Sequence, residues 1–96
     1  MTSFATLEFK KHPNYTDKGA IQAQLFFSNG YGASVIRGRR SYGGREELYE
    51  LAVLKGNEDK SSLCYTTPIT SDVRGYLSEE DVTKLLQEVE ALPKHD

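Results

Sequence analysis

The sequence predicts an α+β domain: an antiparallel sheet of four to five strands with one C-terminal helix packed on one face. Three observations predict it. Residues 20–28 alternate, with Ile21, Ala23, Leu25 and Phe27 on one face, and run into Asn29-Gly30, a strong short hairpin signal. Residues 47–54 alternate again, with Tyr49, Leu51 and Val53 on one face and Leu48, Ala52 and Leu54 on the other. Val82, Leu85, Leu86, Val89 and Leu92 then recur at helical spacing. Ninety-six residues make one domain, 1–96, because smaller pieces could not bury a core.

From the N-terminus, Ala5, Leu7 and Phe9 at period two predict a first strand over residues 3–9. Residues 10–19 hold Pro13, Asn14, Asp17 and Gly19 and predict a loop. The 20–28 strand returns through a two-residue Asn29-Gly30 turn into a partner strand, 31–37. A loop of that length sets Phe27 against Gly32, Phe26 against Ala33, Leu25 against Ser34 and Ala23 against Ile36. Gly38, Ser41, Gly43 and Gly44 predict a loop up to Arg45. Glu, Leu and Ala in 47–54 also suit a helix. Strand is preferred, since Gly56-Asn57-Glu58-Asp59 follows as a turn and Ser62 to Thr66 as a β-rich partner. Pro68 ends regular pairing, and Thr70 to Gly75 read as loop or one helical turn.

The helix, 79–92, is written locally. Ser78 is its N-cap with Asp81 at the third helical position, and Glu79 and Glu80 lie where the helix dipole favours anions. Leu77 and Val82 occupy the two hydrophobic-staple positions, and Pro93 stops the helix. The expected core is Leu7, Phe9, Ile21, Leu25, Phe27, Leu51, Val53, Val82, Leu85, Leu86 and Val89.

Charge patterning supplies the one local anomaly. Four of the five arginines, Arg37, Arg39, Arg40 and Arg45, fall within nine residues beside Tyr31 and Tyr42. Outside residues 31–45, eight Lys and Arg face fourteen Asp and Glu, so the cluster reverses the sign of the chain locally. Guanidinium forks bind carboxylates and phosphates bidentately and stack on aromatic faces. Tyr31, Arg37, Arg39, Arg40, Tyr42 and Arg45 are therefore the candidate partner-binding residues. Toward nucleic acid the patch would neutralise about three or four phosphates, giving weak, salt-sensitive binding. The bland reading is a solvated strand face and a loop balanced by Glu46 and Glu47. The acidic helix residues Glu79, Glu80, Asp81, Glu88 and Glu90 are an alternative contact face, which solvation explains as well.

The remaining patterns argue against chemistry. The glycines lack a Gly-x-Gly-x-x-Gly before a helix, and no Lys-Ser/Thr pair forms a phosphate loop. Cys64 has no sequence tie to His12 or His95 and reads as packing; as the single cysteine it excludes an internal disulfide. No ligand spacing calls for a metal, and no cofactor is expected. The carboxylates are explained by solubility and capping. Hydroxyls between Tyr65 and Tyr76 could line a pocket but suit local turns better. No apolar run approaches the ~20 residues that span a bilayer. The N-terminal residues lack a signal pattern, so a cytoplasmic protein is expected.

Asn29-Gly-Tyr-Gly-Ala-Ser-Val-Ile-Arg37, Ser41-Tyr-Gly-Gly44, Leu48-Tyr-Glu-Leu-Ala-Val-Leu54, Leu63-Cys-Tyr-Thr-Thr-Pro-Ile-Thr70 and Gly75-Tyr-Leu-Ser-Glu-Glu80 together resemble a family of small proteins encoded by tailed phages and prophages. The resemblance spans residues 7–92 and carries no catalytic signature and no functional residues. It implies a phage source and a compact accessory protein acting on a host component, for instance an inhibitor of a bacterial defence system that works by occluding a surface. The expectation is thus a non-enzymatic binding protein that blocks a host protein or complex in the host cytoplasm. The alternative is a nucleic-acid-associated accessory factor using the Arg37–Arg45 loop. Pairing of exposed sheet edges into a homodimer is also open.

Overall fold

A computed structural model describes residues 2–11, 20–38, 48–64 and 74–94. Strand β1 is Lys10–Lys11, β2 Ile21–Phe26, β3 Tyr31–Arg37, β4 Tyr49–Gly56, β5 Ser61–Leu63 and β6 Arg74–Leu77; helix α1 is Glu79–Glu90. The fold is α+β, as the periodicities require. The antiparallel sheet runs β1-β2-β3-β4-β5, with β6 also on β4. β5 pairs with residues 54–56 of β4 and β6 with residues 49–51, so both lie along one edge. The Cys64 N–H also bonds the Val53 carbonyl at 2.8 Å.

The helix buries Val82, Leu85, Leu86 and Val89 against the sheet face carrying Ala33, Val35, Leu51 and Val53. Fully burying each such side chain contributes about 1.5–3 kcal/mol, so this interface is the main source of stability. Cys64 sits in the same core at 3% exposure. Of the expected core, Leu7, Phe9, Leu25 and Phe27 pack on it partly buried, and Ile21 is half-buried. The N-terminus of the helix forms as its sequence dictates. The Ser78 hydroxyl accepts from Asp81 N–H and the Ser78 N–H donates to the Asp81 carboxylate, both at 3.1 Å. The staple residues Leu77 and Val82 are both buried.

Several local expectations are corrected. First, residues 4–6 form a 3-10 turn, not a strand; pairing begins only at Lys10, inside the stretch read as loop. Local bonds win there: Ser3 N–H donates to the Thr6 hydroxyl at 3.2 Å, and Phe4 N–H donates to the Thr83 hydroxyl on the helix at 2.9 Å. Second, the hairpin register is shifted by one. Phe26 faces Gly32, Leu25 faces Ala33 and Ala23 faces Val35. The connection is three residues long: Gly30 N–H bonds the Phe27 carbonyl at 3.3 Å, and only Gly30 takes positive φ, at 85°. That is a type I turn closed by a left-handed glycine, whereas a type I′ turn needs positive φ at Asn29 as well. The shift places Ala33 and Val35, rather than Ser34 and Ile36, toward the helix. Third, Arg74–Leu77 is a strand, where loop or helical turn was expected to extend to Gly75. Among the described residues the sheet counts six strands, with β1 and β6 outside the stretches read as strands. The helix ends at Glu90, two residues short of the expected end.

Candidate interaction surface

Of the six sequence-predicted contact residues, Tyr31 and Arg37 fall within the described residues; Arg39, Arg40, Tyr42 and Arg45 lie outside them. Tyr31 and Arg37 open and close β3, so about 20 Å of extended chain separates them. Tyr31 is half-buried and packs on the core at the end where the 28–30 turn lies. It does not join Arg37.

Arg37 is held inside its own molecule. The β3–β4 register sets Ile36 against Glu50, which brings Arg37 opposite Tyr49. The guanidinium lies over the Tyr49 ring, Cζ 5.2 Å from the centroid, and Nη1 donates to the Tyr49 hydroxyl at 3.1 Å. Tyr49 is 6% exposed and meets Phe4 and Phe9, with ring centroids at 5.0 and 5.7 Å. Stacking on a desolvated tyrosine is worth about 0.5–2 kcal/mol. Its effect is to fix the point where the chain enters the arginine-rich connection between β3 and β4.

Tyr76, which the sequence offers only as a possible pocket wall beside Tyr65, was not among the expected contact residues. Leu77 pairs with Tyr49 and Arg74 with Leu51, so Gly75 and Tyr76 together oppose the single residue Glu50. This is a β-bulge, and its second residue takes φ 57°, the left-handed region that a bulky side chain enters only at a cost of about 1–2 kcal/mol. The bulge leaves Tyr76 61% exposed. Its only signal in the sequence is a glycine beside a tyrosine, which is too weak to mark a bulge. Since Tyr49 lies between Arg37 and Leu77, the bulge stands two strands from the root of the arginine-rich connection, about 10 Å away. Arg74, Tyr76, Asp81, Lys84 and Glu88 line an open cleft of about 470 Å³ between β6 and the helix.

The electrostatics of the cleft centre on Asp81. Its carboxyl is held below its ordinary value first by the Ser78 N–H and then by the Ser78 hydroxyl; desolvation opposes them, and Arg74 and Lys84 add smaller downward effects. A second open cleft, about 500 Å³, lies at the opposite sheet edge between Lys10, Gln22, Gln24 and Phe26. Gln22 is already engaged there, its Nε2 donating to the Ser34 hydroxyl at 3.0 Å. Among the described residues no group of three His, Cys, Asp or Glu is placed to hold a metal, and no helix is long and apolar enough to cross a membrane. No family model, curated protein or solved structure matches the chain.

Proposed function

We propose that this is a non-enzymatic binding protein, phage-encoded as its resemblance implies, that occupies a surface of a host protein or complex and so blocks it. A component of a bacterial defence system is the class of target. The contact surface is the arginine-rich connection, with Arg39, Arg40, Tyr42 and Arg45, extended by Tyr76. The observation that carries the reading is Tyr76 itself. A tyrosine held in the left-handed region, largely exposed and beside the root of the arginine loop, stores backbone strain without gaining burial. Tyr and Arg are the side chains that most often dominate protein interfaces.

The test is capture from bacterial lysate by the tagged chain, with and without nuclease, beside an Arg39→Glu/Arg40→Glu double variant and Tyr76→Ala. Circular dichroism first establishes that both variants fold. One stoichiometric protein retained after nuclease and lost by both variants is the expected result. Full retention by the charge-reversed variant would sink the loop assignment. Recovery of nucleic-acid-bound proteins alone, released by nuclease and by moderate salt, would put the nucleic-acid reading in its place.

A further inference from the structure

The hairpin turn and the helix C-terminus are joined by one side chain. Asn29 Nδ2 donates to the carbonyls of Val89, Glu90 and Leu92 at 2.9, 3.1 and 3.1 Å, while Oδ1 accepts from the Tyr31 N–H at 3.0 Å. The last carbonyls of a helix have no partner within it. Here the two amide hydrogens of a residue sixty positions away are shared among the carbonyls of Val89 and Glu90 in the last turn and of Leu92 just beyond it, the Val89 carbonyl also accepting from the Leu92 N–H at 3.2 Å. No basic residue stands in the last turn to do this instead. Asn29 is also followed by glycine.

We propose that Asn29-Gly30 is a spontaneous modification site, where conversion of the asparagine amide to a carboxylate releases the hairpin from the helix. The Gly30 backbone nitrogen attacks Cγ of Asn29, forming N–Cγ as Cγ–Nδ2 breaks. Ammonia departs, taking up the Gly30 amide proton. Water then opens the five-membered imide to aspartate or isoaspartate, and is the only co-reactant. Glycine has no Cβ to obstruct the approach of its nitrogen.

The fold controls this reaction. In the closed state Nδ2 and Oδ1 are both engaged, and the Gly30 N–H bonds the Phe27 carbonyl. Attack therefore proceeds from a locally opened turn. After conversion the clasp cannot re-form. A carboxylate has no hydrogen to donate, and it would face three carbonyl oxygens at the negative end of the helix dipole. A donor becomes a repulsive acceptor, so the change runs one way.

Two arms test the proposal on the full chain. Incubated at mildly alkaline pH, chain denatured in urea should convert at Asn29 on the order of tenfold or more faster than folded chain, read by peptide mass spectrometry. Equal rates, or no conversion at Asn29 in either sample, overturn it. In thermal melts, Asn29→Gly removes the donor and Asn29→Asp also adds the charge. The expected order is parent, then Asn29→Gly, then Asn29→Asp lowest, by on the order of 10 °C. Asn29→Asp melting with the parent, or above Asn29→Gly, overturns it; Asn29→Asp failing to fold where Asn29→Gly folds is the same order at its limit. Should neither variant fold, the conversion rates decide.

Discussion

At the scale of single residues, two side chains hold positions whose energetic sign is readable. Tyr76 sits at positive φ where glycine would be unstrained. Tyr76→Gly should therefore raise stability by about 1 kcal/mol, a gain of roughly 4–8 °C in melting temperature, while weakening partner capture. A variant that melts lower would mean the exposed ring stabilises the fold and is no contact residue. Asp81 has the opposite logic. Its carboxyl is depressed in the folded chain, chiefly by the Ser78 N–H. Its contribution is thus present above the unfolded-state value and lost as pH falls through the folded one. Asp81→Ala should lower the melting temperature at neutral pH and leave it nearly unchanged at strongly acidic pH. An equal loss at both would show that the cap does not titrate.

At the scale of elements, the hairpin shows what fixes register. An ideal Cβ on Gly32 would lie 2.6 Å from Phe26 Cδ1 and 2.7 Å from the Leu25 carbonyl oxygen. Phe26 therefore covers the glycine, and the carbonyl leaves no room for a methyl. Gly32→Ala should cost about 1–3 kcal/mol, measured by urea unfolding, and a neutral result would disprove the close approach. The pairing of a large aromatic with a bare glycine was legible in the sequence, but with Phe27 in place of Phe26. The hairpin signal is local, whereas its register is settled by the fold, where Asn29 bonds the helix end and Ala33 and Val35 line the core. The helix was legible because cap, staple and stripe are all neighbours in sequence. β6 was not, since four residues including a glycine and a left-handed tyrosine carry no periodicity. The same division governs the candidate surface. The arginine cluster stands out by composition. That Arg37 stacks on Tyr49, and that Tyr76 adjoins them, depends on strand pairing that no local pattern encodes.

At the scale of the whole molecule, the sheet has two edges and guards them differently. The β5–β6 edge carries the exposed Leu63 and Tyr76 and, through the bulge, departs from a regular ladder. The other edge begins with Lys10 and Lys11, both exposed and paired only to residues 21–22 of β2. Among the described residues no strand pairs with the outer edge of β2 from Ala23 to Phe26. The two like charges on β1 oppose a second copy, because antiparallel pairing of β1 with its counterpart would set Lys10 and Lys11 against two more lysines. Lys10→Thr/Lys11→Val should therefore increase concentration-dependent self-association relative to the parent, read by sedimentation, while the melting temperature at low concentration stays within a few degrees. If the variant associates no more than the parent, the lysines are not what protects this edge, and exclusion must lie in the shape of the open cleft beside Gln22, Gln24 and Phe26.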